Sequence, residues 1–186
     1  SKLLAAGSTT GPGHFSLTSW GHSDTYFNKN HLLLYPALVS AVAAQMAQEW
    51  REASIDIVVG PAIGGVILAQ WLAYHLDTEK VRALFAEKGK TTWQFRRGFG
   101  ELLPNQRVLI VDDVLKQGRT VRGLMDLVGE KGGIVAGVAC ILNREGHSAI
   151  SLQVPRITEV LHSQRYDASA CKLCKQGIPL VSMVET

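Results

Sequence analysis

Cysteine is scarce in this chain, with three among 186 residues. Three thiols make no disulfide framework, which excludes the small secreted scaffolds held by cross-links. A reducing, cytoplasmic setting is the expectation. A strong charge of either sign is missing too. Nineteen Lys and Arg against sixteen Asp and Glu leave a formal net charge of +3, too small and too scattered for nucleic acid as the main partner. No apolar run approaches the ~20 residues needed to span a bilayer. The opening SKLLAAGSTTGPG carries one lysine and a short apolar patch, without the hydrophobic core of a signal peptide. Neither a membrane nor export is expected.

What is present is an ordinary globular composition, 46% apolar and 19% charged, in a length that suits one domain and needs no staples to hold its core. Leu38, Val39, Val42, Met46 and Trp50 recur at helical spacing, with Pro36 acceptable in a first turn, which predicts a helix from about Pro36 to Trp50. Ile55 to Val59 is an apolar run closed by Gly60-Pro61 and reads as a buried strand. Val66 to Leu76 is long enough for a helix. Val81 to Phe85, Val108 to Val111, Ile134 to Leu142 and Ile157 to Leu161 are further strands, and Val121, Leu124, Met125 and Val128 mark a helix stopped by Gly132-Gly133. Strands alternating with helices at this spacing predict an α/β fold with a parallel sheet covered on both faces. Two segments stand outside that core: residues 1–30, rich in Gly, Ser, Thr and His, and residues 88–105, which read as a mobile loop leading into a hairpin. Parallel sheets hold ligands at the carboxyl ends of their strands, so the loops after Val59, Phe85, Val111 and Leu142 are where chemistry is expected.

The most informative of these is VLIVDDVLKQGRT, residues 108–120. Capping of the next helix accounts for one aspartate at a strand end, but not for two directly after four buried residues. Asp112 and Asp113 together suit a pair of vicinal hydroxyls or a hydrated divalent cation. Lys116, Gln117, Gly118, Arg119 and Thr120 then lead into a helix N-terminus, where amides, dipole and cationic side chains favour a phosphate. A diol beside a phosphate describes a ribose 5-phosphate. Gly60, Gly64 and Gly65 would let backbone approach a diphosphate closely. Arg144 follows an apolar strand and offers a planar fork to a carboxylate, although pairing with a neighbouring acid serves it equally well.

VLIVDDVLKQGRT resembles the phosphoribosyl-diphosphate (PRPP) signature of the type I phosphoribosyltransferases, with Lys116, Gln117 and Arg119 where hydroxyl residues and a glycine are usual. GHFSLTSWGHSDTYF (13–27) is similar to the base-binding segment of the orotate phosphoribosyltransferases, with Ser19-Trp20 in place of Ser-Gly. VVGPAIGGVILAQWLA (58–73) resembles that family's diphosphate loop, FAEKGKTTWQFRRGF (85–99) its catalytic loop, CILNREG (140–146) its orotate-contacting strand and YDASACKLCKQGIPL (166–180) a C-terminal tail of one branch. The resemblance runs in order over nearly the whole chain. It implies one phosphoribosyltransferase domain over 1–186, an α/β core at 31–161 and a hood from 1–30 and about 162–186 that chooses the base. It also implies PRPP and orotate as substrates, Mg²⁺ held mainly by PRPP and water, and a homodimer. By the same resemblance Asp112 and Asp113 bind the ribose hydroxyls, Lys116 to Thr120 wrap the 5-phosphate, and Gly60, Gly64 and Gly65 meet the diphosphate. Lys88, with Arg96 or Arg97, reaches the diphosphate from a mobile lid, and Tyr26, Phe27 and Arg144 hold orotate. Transfer to another base, or PRPP binding without catalysis, is the alternative.

Two metal readings are set aside. His22, Ser23 and Asp24 are neighbours in sequence and cannot easily converge on one ion, and Cys171-x-x-Cys174 lacks a second Cys/His pair at zinc spacing, with only His162 near in sequence. A structural turn is expected there, with a disulfide open under oxidising conditions. Cys140, inside an apolar run, is expected in the core. If the carboxylate assignment holds, Asp112→Asn and Asp113→Asn each weaken PRPP binding at least tenfold by calorimetry, and unchanged binding rejects it.

Overall fold

The computed structural model describes residues 8–17, 21–163 and 165–182. Four short strands come first, β1 (Thr9–Thr10), β2 (Phe15–Leu17), β3 (Gly21–Ser23) and β4 (Tyr26–Phe27), followed by α1 (Lys29–Leu33). The body is α2 (Pro36–Gln48), β5 (Ile57–Pro61), α3 (Gly64–Leu76), β6 (Arg82–Lys88), β7 (Trp93–Gln94), β8 (Arg107–Leu115), α4 (Arg119–Glu130), β9 (Ile134–Asn143), α5 (Ala149–Leu152) and β10 (Ile157–His162). Then come β11 (Arg165–Tyr166), α6 (Lys172–Lys175) and β12 (Val181–Ser182).

The central sheet has the order β10-β9-β8-β5-β6-β7. All neighbours run parallel except β7, which folds back antiparallel on β6. Alternation along the strands feeds two cores. Val58, Leu109 and Val111 pack with Val39, Val42 and Met46 of α2 and Leu68 and Leu72 of α3. Ile57, Val59, Val108 and Ile110 pack with Val121, Leu124, Leu127 and Val128 of α4. Those α4 residues fall at i, i+3, i+6 and i+7, so one stripe faces the sheet, each side chain stabilising by roughly 1.5–3 kcal/mol. Gly118, with φ +71°, starts α4, and Gly132, with φ +73°, helps stop it, its amide donating to Gly129 O at 2.9 Å. Cys140 is fully buried in β9.

A second sheet, β11-β3-β2-β12, is assembled from both ends of the described chain, with β12 parallel to β2 and the other pairs antiparallel. β1 pairs with β4 beside it. Ser23 Oγ and Ser163 Oγ meet at 2.9 Å in a buried contact that ties β3 to the end of the main sheet.

Two expectations are corrected. β8 does not stop at Val111: it continues through the aspartates to Leu115, with Asp112, Val114 and Leu115 opposite Cys140, Leu142 and Asn143 of β9. The expected hairpin after Phe85 is present, but it begins within β6 and so earlier than expected. Glu87 faces Gln94 and Lys88 faces Trp93 in a hairpin closed by the Gly89 amide donating to Thr92 O at 2.8 Å. Lys88 therefore ends a strand, and Arg96 bridges back to Glu87 at 3.5 Å.

Across β8 and β9 the register shifts between Val108 and Leu109, which face Val135 and Gly137. The Trp50 ring lies against that bulge, its indole N–H donating to Thr158 Oγ1 at 2.8 Å and the Arg156 guanidinium 5.0 Å above it. A Cβ on Gly137 would stand 2.4 Å from the ring and 2.5 Å from Arg156 O. Gly137→Ala should therefore cost about 2–3 kcal/mol, read as a lower urea midpoint with an unchanged slope.

Candidate active site

The sheet order reverses direction at β5: the chain leaves it for β6 on one side, while β8, β9 and β10 lie on the other. The loops after β5 and β8 therefore diverge and open a crevice between them. A cleft of about 410 Å³ lies there, lined by Pro61 to Gly65, Asp112 to Val121, Lys29, Trp93 and Glu145. Gly64, Gly65, Asp112, Asp113 and the whole Lys116 to Thr120 loop, all expected from sequence, line this one place, while Gly60 does not line it and lies buried behind Gly65.

The glycines are there for lack of room. A Cβ on Gly60 would stand 2.0 Å from Gly65 O, one on Gly65 2.3 Å from Pro61 Cδ, and one on Gly64 2.5 Å from Asp113 Oδ2. The loop is thus folded tightly upon itself and held against the carboxylate.

Asp112 and Asp113 are almost buried, at 9% and 7% exposure, yet only one has a cation in contact. Lys29 Nζ sits 3.0 Å from Asp113 Oδ2, while Asp112 Oδ1 accepts the Asp113 amide at 2.9 Å. Burial, and next the charge of Asp113, push Asp112 up to about 7, against the opposing pull of that amide, Lys29 and Lys116. Such a carboxyl is poised for a ligand that supplies hydroxyl donors or positive charge.

The phosphate loop is braced from behind. The His147 ring N–H donates to Lys116 O, and Arg122 donates to Gln117 O and to Ser151 O, both at 3.3 Å. Arg119 turns its guanidinium to the Gln117 side chain. Lys116, Gln117 and Arg119 remain exposed.

A second cleft, of about 450 Å³, adjoins the first and shares Glu145 with it; Arg144, Gly146, His162, Ser163, Arg165 and Asp167 complete it. Arg144 is at 9% exposure, and its amide donates to Leu115 O at 2.9 Å, joining the ends of β8 and β9. Asn143 brackets the turn, donating to His147 O and accepting the His147 amide, both at 2.9 Å. Arg165 holds Glu145 and Asp167, each at 3.2 Å.

The remaining expected residues stand apart. Lys88 lines neither cleft. Phe27 packs its side chain into the core, which leaves only its backbone for a base, and Tyr26 tilts against Phe15 with ring centres 6.2 Å apart. Ser19 and Trp20 lie outside the described residues. Lys29, Asn143, Glu145, His147 and Arg122 were not singled out from sequence. The N-R-E-G-H run after an apolar strand was the available signal for three of them: a polar residue at a buried strand end must bond its own turn.

A model of the phosphoribosyl transferase domain matches residues 30–154. The orotate phosphoribosyltransferase of Caldanaerobacter subterraneus subsp. tengcongensis is 41% identical over 170 residues, which cover 91% of this chain and 87% of that one. The chain belongs to the orotate phosphoribosyltransferase family. Another member, from Chlorobaculum parvum, is 34% identical over 168 residues, covering 90% of this chain and 85% of its own. The fold agrees: the crystal structure of orotate phosphoribosyltransferase from Aeropyrum pernix matches with a TM-score of 0.67 at 24% identity, over 87% of this chain and 91% of that one. The Mycobacterium tuberculosis enzyme in complex with PRPP matches at 0.61 and 21% identity, over 74% and 80%. Among the described residues no helix is long and apolar enough to cross a membrane.

The position of Asp112 sets a pH dependence. From the ordinary carboxylate range up to about pH 7 the folded chain keeps a proton that the unfolded chain releases, so stability falls as pH rises through that window and levels off above it. Asp112→Asn should remove most of that fall and raise the melting temperature at pH 8 by roughly 5 °C, while leaving stability at pH 4 nearly unchanged. Equal shifts at both pH values would refute this reading.

Proposed function

We propose that this chain transfers the 5-phosphoribosyl group of PRPP to orotate, giving orotidine 5′-monophosphate and diphosphate. The observation that carries this is the pair of adjoining clefts sharing Glu145, one with a carboxylate pair and a phosphate loop, the other with a nearly buried arginine. Asp112 and Asp113 accept the ribose hydroxyls and so fix the sugar. Lys116 to Thr120 enclose the 5-phosphate, with Lys116 and Arg119 adding charge in place of compact hydroxyl donors. The Gly60 to Gly65 loop lies against the diphosphate, and Lys29, about half exposed, adds a cation to the same space. Arg144 takes the orotate carboxylate and thereby points N1 at the anomeric carbon. As the bond from that carbon to diphosphate breaks, cationic character develops on the ribose, and the paired carboxylates stabilise it while enclosure keeps water away.

Mg²⁺ suits this site. Two hard oxygen donors sit on adjacent residues, one of them pushed up to about 7 by burial and next by the charge of Asp113, which fits a hydrated divalent cation carried in by PRPP. Bound there, Mg²⁺ would neutralise the leaving diphosphate. Lys88 lines neither cleft, and it is assigned to the same diphosphate in the site of a neighbouring subunit of a homodimer, reached from its hairpin.

Diphosphate release is measured with Mg²⁺, PRPP and a panel of bases. Turnover with orotate alone is expected, and Arg144→Lys should raise the KM for orotate by 10- to 100-fold while changing the KM for PRPP little. Turnover only with another base, or PRPP binding without turnover, would reject the proposal.

A further inference from the structure

The hood holds a second constellation, remote in sequence and unused by the chemistry above. His14, His22, Cys171 and Cys174 each offer one ligand atom, and these atoms all lie within 4.8 Å of one another. This corrects the expectation that His22 and Cys171-x-x-Cys174 have no partners for an ion: the missing ligands come from the opposite end of the chain. His14 Nε2 is 2.9 Å from His22 Nδ1, 3.6 Å from Cys171 Sγ and 3.7 Å from Cys174 Sγ, and Cys174 Sγ is 3.3 Å from His22 Nδ1. Around tetrahedral zinc, bonds of about 2.3 Å to sulfur and about 2.0–2.1 Å to nitrogen put the ligand atoms themselves about 3.3 to 3.8 Å apart. The three nitrogen–sulfur separations fall in that range, the two nitrogens stand closer than it, and the remaining pairs are within 4.8 Å.

The tautomer agrees. A carbonyl only accepts, so His14 Nδ1 carries the hydrogen that it gives to Ile178 O at 2.7 Å. In the neutral ring Nε2 then bears a lone pair, and it is the Nε2 that faces His22 and both sulfurs. A backbone carbonyl behind a ligating imidazole is the usual outer support of a metal-bound histidine. The sulfurs are placed by a tight turn: Lys175 N donates to Cys171 O at 3.2 Å and Gly177 N to Cys174 O at 3.0 Å, with Gly177 at φ +69°. His14 and Cys171 are buried, His22 is partly so and Cys174 is exposed. All four positions are filled by protein, which is the pattern of a structural site and leaves no place for a reacting water.

We propose that His14, His22, Cys171 and Cys174 bind one Zn²⁺ ion that ties the C-terminal turn to β2 and β3. On binding, the two thiols lose their protons to solvent and the two neutral imidazoles give lone pairs. The ion thereby joins segments as far apart as His14 and Cys171, 157 residues from one another. It also sits one strand from the second cleft, because His22 faces Tyr166 and Ser23 faces Arg165 across β3 and β11.

The test uses the full chain, purified under reducing conditions without chelator or affinity resin metal. Elemental analysis after gel filtration should find about one equivalent of zinc. Chelation should lower the melting temperature by roughly 5 °C or more, and readdition of Zn²⁺ should restore it. Co²⁺ added to the stripped protein should give the strong visible bands of a tetrahedral site with a thiolate-to-metal charge-transfer band. Cys174→Ser, at an exposed position, should lose at least 100-fold in metal affinity yet keep its far-UV spectrum. A Cys171–Cys174 disulfide in the reduced preparation, a weak octahedral cobalt spectrum, or metal held equally by Cys174→Ser would each overturn the proposal.

Discussion

Two ionisable side chains are carried inside a strand, and the surroundings are arranged around that burden. Asp112 and Asp113 sit in β8 with ladder partners on β9 beyond them, so their backbone is as fixed as that of the core, and their positions do not depend on a loop. The cost is electrostatic. Lys29 relieves Asp113, whereas Asp112 relies on a single amide and more distant cations. Gly64 can carry no side chain because the Asp113 carboxylate occupies the space. A rigid pair of acceptors, unhappy without a ligand, is what a site of pre-organised recognition needs.

The α/β core was legible because its signal is periodic. β5 and β8 read as buried runs and α4 as a stripe, and each is where that pattern placed it. The two-carboxylate reading located the cleft, but charge was taken as the end of the strand. In β8 the parallel partner β9 continues, and the ladder carries the strand through both carboxylates to Leu115. Lys88 was placed on a lid by resemblance rather than by any local pattern; cross-strand pairing with Trp93 sets it at the end of a strand in a hairpin.

What sequence could not disclose shares one property, that the partners are far apart along the chain. Lys29 is an ordinary lysine until α1 brings it to Asp113. His147 is an ordinary histidine until the turn built by Asn143 aims it at Lys116 O. His14 and Cys171 are 157 residues apart and belong to no local spacing rule. Motifs report chemistry that one segment can carry, and these contacts are carried by the fold.

That same separation gives the hood a place in time. Its sheet puts β2 and β3 between β11 and β12, so the first strands made wait for the last. The core, whose neighbouring elements follow one another closely, can gather while the chain is still being synthesised, but closing a loop of this length brings its reward only at the end. The second sheet is therefore a seam between distant segments, and it closes only when both of them are present.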